Sequence, residues 1–159
     1  MNYAEKIGEI LIKNNWTIST TESCTGGLLS SKLTDVSGSS AYILLNLVTY
    51  ANEAKEKMLG VKLDSEGAVS ENCAFQMAKG LHDLTKASFC VSTTGIAGPT
   101  GGSKEKPVGL MYSTIYTKDN YKNYKIQVDS SLSRIEIKEK FTEEVLKNIY
   151  NYLLELDIF

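Results

Sequence analysis

Residues 17–33, TISTTESCTGGLLSSKL, follow the pattern of a strand, a glycine-containing turn and a helix. β-Branched side chains dominate residues 17–21, whereas residues 28–33 favour a helix. In open α/β sheets, ligands bind where strands end and helices begin, because free N–H groups there can receive an anion or an oxyanion. Residues 20–27 are therefore the first candidate site, although a capped turn would use the same serine, threonine and glycine residues.

The rest of the chain alternates between helical and strand patterns. Residues 42–50 are nearly continuously apolar, which predicts a strand buried on both faces of a sheet. Apolar spacing predicts an amphipathic helix at the start of the chain, and Ser70 is placed to cap a later one. Further helices are predicted at 52–58 and about 135–154, and further strands at 89–93, 110–116 and 124–128, the last two forming a hairpin. The pattern predicts one α/β domain over residues 1–159, a three-layer α/β/α sandwich with a five-stranded mixed, mostly parallel sheet.

Composition excludes several classes of function. The chain has 159 residues, 17 Lys and Arg against 19 Asp and Glu, and a net charge of −2, so no basic face for nucleic acid is expected. The absence of a signal peptide or membrane-spanning pattern predicts a cytoplasmic protein. His82 is the single histidine, and Cys24, Cys73 and Cys90 form no C-x-x-C pair. No metal site, disulfide framework or cofactor is therefore expected.

A second candidate segment is VTYANEAK, residues 48–55. Tyr50 closes the predicted apolar strand, and Lys55 falls in the first turn of the helix behind it. The positive field of a helix N-terminus and burial would both lower the pKa of Lys55, which would then be able to act as a base. The alternative is that Lys55 is one surface lysine among many and Tyr50 a core residue.

A third candidate segment is TTGIAGPTGG, residues 93–102, which begins where a predicted strand ends. Four glycines in eight residues cost backbone entropy, so a close approach to a ligand is expected. A cradle for a phosphate or carboxylate is the functional interpretation, and a flexible connection is the alternative.

Together these segments resemble the CinA C-terminal domain family, which includes nicotinamide-nucleotide amidohydrolases. The resemblance is carried by TESCTGG at 21–27, GSSAY at 38–42, VTYANEAK at 48–55, GAVSE at 67–71, and GIAGPTGG with KPVG at 95–109. It implies an α/β/α fold and a function in pyridine nucleotide salvage. The implied reaction is hydrolysis of the carboxamide of nicotinamide mononucleotide to nicotinic acid mononucleotide and ammonia. A homodimer is also expected from the family, and the apolar run of residues 150–159 could cover the core or a second subunit.

The resemblance also implies roles for individual residues. Ser23 matches the nucleophile, Tyr50 and Lys55 match its activating partners, and Thr94 and Arg134 match positions that contribute to the site. The candidate substrate-binding residues are Thr21, Cys24, Thr25, Gly26, Thr94, Gly95, Ala97, Gly98 and Arg134. Members of the family often have Gly-Asp before this arginine and a second arginine four residues later, whereas this chain has Leu132, Ser133 and Lys138. The contact with the substrate phosphate is therefore the part of the resemblance that this sequence supports least.

The residue types agree with this chemistry on separate grounds. A serine hydroxyl needs a base, and lysine is the available alternative to histidine. We expect Lys55 to take the proton of Ser23, with Tyr50 orienting or relaying it, and N–H groups of 24–26 or 95–97 to hold the oxyanion. Arg134, the only arginine, can bind a phosphate bidentately. The alternative is a catalytically silent module that binds a nucleotide or phosphate and is linked to competence or the response to DNA damage.

Overall fold

A computed structural model describes residues 1–157, which form five α-helices and five strands. In chain order these are α1 (Tyr3–Asn14), β1 (Ile18–Glu22), α2 (Leu28–Thr34), β2 (Ile43–Val48), α3 (Asn52–Leu59), α4 (Glu71–Thr85), β3 (Phe89–Gly95), β4 (Leu110–Tyr116), β5 (Tyr121–Gln127) and α5 (Arg134–Leu156). A short 3₁₀ turn, Ser39–Ala41, precedes β2. Ile158 and Phe159, the end of the apolar C-terminal run, lie outside the described residues.

The sheet has the strand order β2-β1-β3-β4-β5. β1 is parallel to both of its neighbours, whereas β4 is antiparallel to both β3 and β5. Four strands therefore run in one direction and β4 alone runs in the other. This confirms the predicted five-stranded mixed sheet, and it places the C-terminal ends of β2, β1 and β3 side by side at one edge.

Helices cover both faces of the sheet and confirm the three-layer sandwich. On one face α1, α2 and α5 pack together, and their core is continuous with the sheet. On the other face α4 packs on β1, β3 and β4, and α3 packs on α4. Cys73 and Cys90 are buried in this second core as free thiols, as expected of small apolar side chains. Among residues 1–157, no helix combines the length and apolar character needed to cross a bilayer.

Local sequence explains where two of the helices begin. The hydroxyl of Ser70 accepts a hydrogen bond from the N–H of Cys73 at 3.1 Å, which confirms the predicted cap of α4. At α5, Ser133 and Glu136 form a reciprocal capping box, in which each side chain binds the other residue's N–H. This cap fixes the first residue of α5, Arg134, beside the glycine-rich segment.

Two predictions of strand structure were wrong. β2 is an edge strand and is not buried on both faces, since Leu44 and Val48 are each 52% exposed. The helices pack over the more central strands and leave these side chains uncovered. β5 begins at Tyr121, three residues before the predicted start at Tyr124, because the turn that closes at Asn120 pairs the two strands immediately.

Candidate active site

The three candidate segments meet at one edge of the sheet. β1 ends at Glu22, β2 at Val48 and β3 at Gly95, and β1 lies between the other two strands. Because these strands are parallel, the segments that follow them emerge side by side. The fold thus brings together the three stretches that the sequence singles out.

Ser23 and Lys55 are in direct contact at this edge. Lys55 is on α3, and only 1% of its surface is exposed. Its Nζ lies 3.1 Å from Ser23 Oγ and donates to the carbonyl oxygens of Thr49 and Tyr50, each at 2.8 Å. The side chain thus extends from the helix to the end of β1, where its Nζ contacts three oxygen atoms.

The three oxygens around Nζ fit either charge state of the amine. An ammonium can donate to all three while the Ser23 hydroxyl donates to the carbonyl of Tyr50 at 3.4 Å, whereas a neutral amine donates to the two carbonyls and accepts the proton of Ser23. Burial lowers the pKa of Lys55, and the nearby thiols of Cys73 and Cys24 oppose that effect only in part. Among residues 1–157, no carboxylate forms an ion pair with Lys55. Burial and the lack of an ion pair therefore favour the neutral amine, and the 3.1 Å distance from Nζ to Oγ lets that amine accept the serine proton.

The main chain of Ser23 is held on both sides. Its N–H donates to the carbonyl oxygen of Thr93 at 3.0 Å, and its own carbonyl accepts from the N–H of Gly26 at 3.1 Å. The next residue, Cys24, is buried, and burial raises the pKa of its thiol to about 12. That thiol stays protonated at neutral pH, so Ser23 is the better nucleophile of the two.

The expectation of free N–H groups at the start of α2 was wrong. The carboxylate of Glu22 accepts hydrogen bonds from the N–H groups of Gly27, Leu29 and Ser30 at 3.2, 2.9 and 3.0 Å. The protein thus supplies its own anion to this helix terminus, and no external phosphate is needed there. Glu22 is the residue of the site that the sequence reasoning missed most clearly. A carboxylate directly before the nucleophile, at the end of a buried strand, was the available signal.

Some of the expected oxyanion donors are already engaged. The N–H of Gly26 donates to Ser23, and the N–H of Ile96 donates to the carbonyl of Leu110 at 2.9 Å. Within residues 1–157, the N–H of Cys24 has no hydrogen-bond acceptor, and the N–H of Gly95 makes no bond to the turns and loops around it. These two groups follow directly after Ser23 and at the end of β3, so they are the better candidates for holding an oxyanion.

A cleft of about 190 Å³ is lined by Tyr50 and by Cys24, the residue after Ser23, and it is bounded by Arg134. Ser23 and Lys55 themselves are not among its lining residues. Arg134 Nη1 donates to the carbonyl of Gly98 at 2.7 Å, and Nη2 donates to the phenol oxygen of Tyr50 at 3.1 Å. The ring of Tyr50 is exposed, so it is not the core residue of the alternative interpretation. The remaining N–H groups of the guanidinium stay available to an anionic ligand.

The predicted substrate-binding residues fall into three groups. Cys24, Gly95, Ala97, Gly98 and Arg134 line the cleft together with Tyr50. Thr25 and Gly26 line a neighbouring groove that also contains Lys138, whose Nζ approaches Gly26. Thr21 and Thr94 lie outside both. The hydroxyl of Thr21 is bonded to Thr49 at 2.8 Å, and that of Thr94 donates to the carbonyl of Ala68 at 2.8 Å, so neither is directed to a ligand.

The cleft also contains residues that the sequence reasoning did not select. Ile96, Thr100 and Gly101 line it, although they lie within the glycine-rich segment that was singled out as a whole. Among residues 1–157, no group of three or more His, Cys, Asp or Glu residues could hold a metal ion.

Comparisons with known proteins identify the family of the chain. The CinA C-terminal domain family matches residues 1–153. A CinA-like protein of Chlorobium limicola is 42% identical over 158 residues, and the chain spans 37% of the length of that relative. The crystal structure of a competence-damaged protein (CinA) superfamily protein from Klebsiella pneumoniae is 25% identical, with a TM-score of 0.89 over 96% of both chains. That of a competence/damage inducible protein from Agrobacterium tumefaciens is 37% identical, with a TM-score of 0.82 over 98% of this chain and 94% of that one. From the match over nearly its whole length, the chain belongs to the CinA C-terminal domain family.

Proposed function

We propose that this protein hydrolyses the carboxamide of nicotinamide mononucleotide to nicotinic acid mononucleotide and ammonia. The observation that carries the proposal is the 3.1 Å contact between Lys55 Nζ and Ser23 Oγ, beside a cleft that holds an arginine. A buried lysine in contact with a serine is the arrangement of Ser-Lys hydrolases, which need no histidine. Membership of the family supports the same reaction. The names of the relatives mention only competence and damage.

In the acylation step, Lys55 Nζ takes the proton of Ser23 as Oγ attacks the carboxamide carbon. The carbonyl oxygen becomes an oxyanion, for which the N–H groups of Cys24 and Gly95 are the candidate donors. Lys55 then returns the proton to the amide nitrogen, and the C–N bond breaks. Ammonia leaves and an ester between Ser23 and the nicotinoyl group remains.

In the deacylation step, water attacks the ester carbon. Lys55 takes a proton from that water and later returns a proton to Ser23 Oγ, which regenerates the hydroxyl. The product is released as a carboxylate. The carbonyl oxygens of Thr49 and Tyr50 hold the amine in place through both steps, because each accepts from Nζ at 2.8 Å.

Charge near the cleft favours a phosphorylated substrate. Arg134 borders the cleft, and Lys138 lies one helical turn further along α5 in the neighbouring groove. Two cations on adjacent turns of one helix suit a phosphate that extends from the cleft into the groove. We therefore propose the mononucleotide as substrate, with free nicotinamide and nicotinamide riboside as poorer ones.

The test is ammonia release from these three compounds by wild type, Ser23→Ala and the control Ser37→Ala, whose side chain is at the exposed surface. We expect the Ser23 variant to show a loss in kcat of at least about three orders of magnitude and to retain binding of the mononucleotide in calorimetry. The Ser37 variant should match wild type. Binding by wild type without ammonia release from any compound would instead favour the silent nucleotide-binding module.

A further inference from the structure

We infer that Glu22 is a positioning residue for Ser23, which it holds through the hydroxyls of Thr25 and Thr93. The inference rests on the proposed function and explains how the nucleophile of that reaction is fixed. Thr25 was a candidate substrate-binding residue, whereas Glu22 and Thr93 were given no role, and the contacts among the three are the evidence.

The first observation is the number of donors that converge on one carboxylate. Glu22 is 0% exposed. Its Oε1 accepts from Thr25 Oγ1, Gly27 N and Leu29 N, and its Oε2 accepts from the N–H and the hydroxyl of Ser30. Within the described part of the chain, it forms no ion pair. A buried carboxylate without a cation is costly, and five donors at the start of α2 offset that cost.

The second observation is that these bonds continue to the nucleophile. The hydroxyl of Thr25 donates to Glu22 at 2.6 Å and also contacts Thr93 Oγ1 at 2.9 Å. Since Thr25 has a single hydroxyl proton and Glu22 accepts it, Thr93 must be the donor in the contact between the two threonines. A lone pair of Thr93 Oγ1 is then free to accept a second, longer bond from the N–H of Ser23 at 3.3 Å, beside the 3.0 Å bond of that N–H to the carbonyl oxygen of Thr93. Glu22 therefore sets the direction of every bond in a chain that ends on Ser23.

The same carboxylate also restrains the segment that follows Ser23. It holds the N–H of Gly27, and the preceding residue, Gly26, donates to the carbonyl of Ser23. Glu22 thus restrains the segment around Ser23 and Cys24 from two sides, through Thr25 and through Gly27. Displacement of a reacting group by about 1 Å can cost on the order of 100-fold in rate. We therefore expect Glu22 to act on the reactivity of Ser23 rather than on substrate affinity.

The test compares Glu22→Gln, Thr25→Val and Thr25→Ser with wild type. The first removes one set of acceptor lone pairs at constant size, the second removes the bridging hydroxyl at constant shape, and the third restores that hydroxyl. We measure kcat and KM for ammonia release, and the rate at which a phosphonofluoridate labels Ser23, followed by mass spectrometry. The labelling rate reports the reactivity of Ser23 alone, because no nucleotide is present in that assay.

We expect Glu22→Gln and Thr25→Val to lower both kcat and the labelling rate by about 10- to 100-fold, with KM changed less than about 3-fold. Thr25→Ser should recover to within about 3-fold of wild type. The control is Thr114→Val, because Thr114 is likewise buried on a strand and donates to Asn123 Oδ1 at 2.7 Å but contacts neither Glu22 nor any of its donors. It should lower the melting temperature and leave the labelling rate unchanged.

Equal losses of labelling in Thr114→Val and Thr25→Val would overturn the inference and leave a purely structural role. Should Glu22→Gln fail to fold, the two Thr25 variants decide the question by themselves. If wild type releases no ammonia but Ser23 is labelled, the proposed function fails and the positioning role is still measured. If Ser23 of wild type is not labelled at all, the inference fails as well.

Discussion

Arg134 binds the phenol oxygen of Tyr50 at 3.1 Å, whereas Lys55 binds Tyr50 only at its carbonyl oxygen, at 2.8 Å. Tyr50 thus uses its main chain to hold the amine and its side chain to hold the arginine. This division differs from the expectation that the phenol orients or relays the proton of Ser23. In the described residues, that hydroxyl makes no hydrogen bond to Ser23 or Lys55.

Tyr50→Phe tests this division of roles. The substitution keeps the carbonyl that binds Lys55 and removes the oxygen that binds Arg134. We expect KM for nicotinamide mononucleotide to rise about 5- to 10-fold, because one hydrogen bond to a charged group is lost, and kcat to fall less than about 3-fold. Steady-state ammonia release measures both. If kcat instead falls by two orders of magnitude or more, the phenol does take part in the proton transfer.

Arg134→Lys tests the recognition of phosphate. The guanidinium holds Gly98 and Tyr50 with two diverging nitrogens, and an ammonium cannot reproduce that planar geometry. We expect KM for the mononucleotide to rise about 10-fold or more, while hydrolysis of nicotinamide riboside, which has no phosphate, changes little.

The matched control for this variant is Lys147→Met, on the same helix but exposed and remote from the cleft. It should leave both substrates unaffected. An equal loss of activity toward the riboside and the mononucleotide in Arg134→Lys would mean that the residue organises the cleft and does not bind the phosphate.

Sequence patterns predicted the fold well because the layers are built from strong local signals. The amphipathic spacing of α1, the Ser70 cap of α4 and the turn at residues 118–120 each follow from neighbouring residues. The position of β2 at the sheet edge does not follow from neighbouring residues. An apolar run predicts burial, but the strand order decides which strand lies at the edge, and that order arises from long-range pairing.

The candidate site was predictable in part for a related reason. The rule that ligands bind at the ends of parallel strands predicted that Ser23 and Lys55 lie in the same region. Which hydroxyls face the cleft depends on the alternation of side chains and on hydrogen-bond partners distant in sequence. The hydroxyls of Thr21 and Thr94 form hydrogen bonds with Thr49 and with the carbonyl of Ala68. No local sequence pattern predicts those partners.

Gly95→Ala tests the importance of close backbone packing at the end of β3. A Cβ there would lie 2.6 Å from the carbonyl oxygen of Leu110 and 2.9 Å from Met111 Cα, both main-chain atoms of β4. The strand end must shift, and the N–H of Gly95 shifts with it. We expect a loss of about 1–3 kcal/mol in the free energy of unfolding and a fall of about 10-fold or more in kcat.

The control for Gly95→Ala is Ser92→Ala, on the same strand. Ser92 donates to the carbonyl of Ala74 at 2.7 Å on the α4 side, away from the cleft. It should cost about 1–3 kcal/mol in denaturant unfolding and leave kcat unchanged. If kcat falls equally in both variants, loss of stability explains the effect and Gly95 has no special role in the chemistry.

The pH dependence of the reaction follows from the burial of Lys55. Burial lowers the pKa of Lys55 below the value of about 10.4 for an ordinary lysine, and only the neutral amine can accept the proton of Ser23. The active fraction therefore rises with pH, about tenfold per pH unit below the pKa, and reaches a plateau above it. We expect kcat/KM to follow this curve, with its midpoint below the titration of the exposed lysines. The ¹³Cε shift of Lys55 in Ser23→Ala, compared with the exposed lysines in the same spectrum, locates the titration directly. A Lys55 midpoint equal to or above theirs would show that the amine is charged at neutral pH and cannot serve as the base.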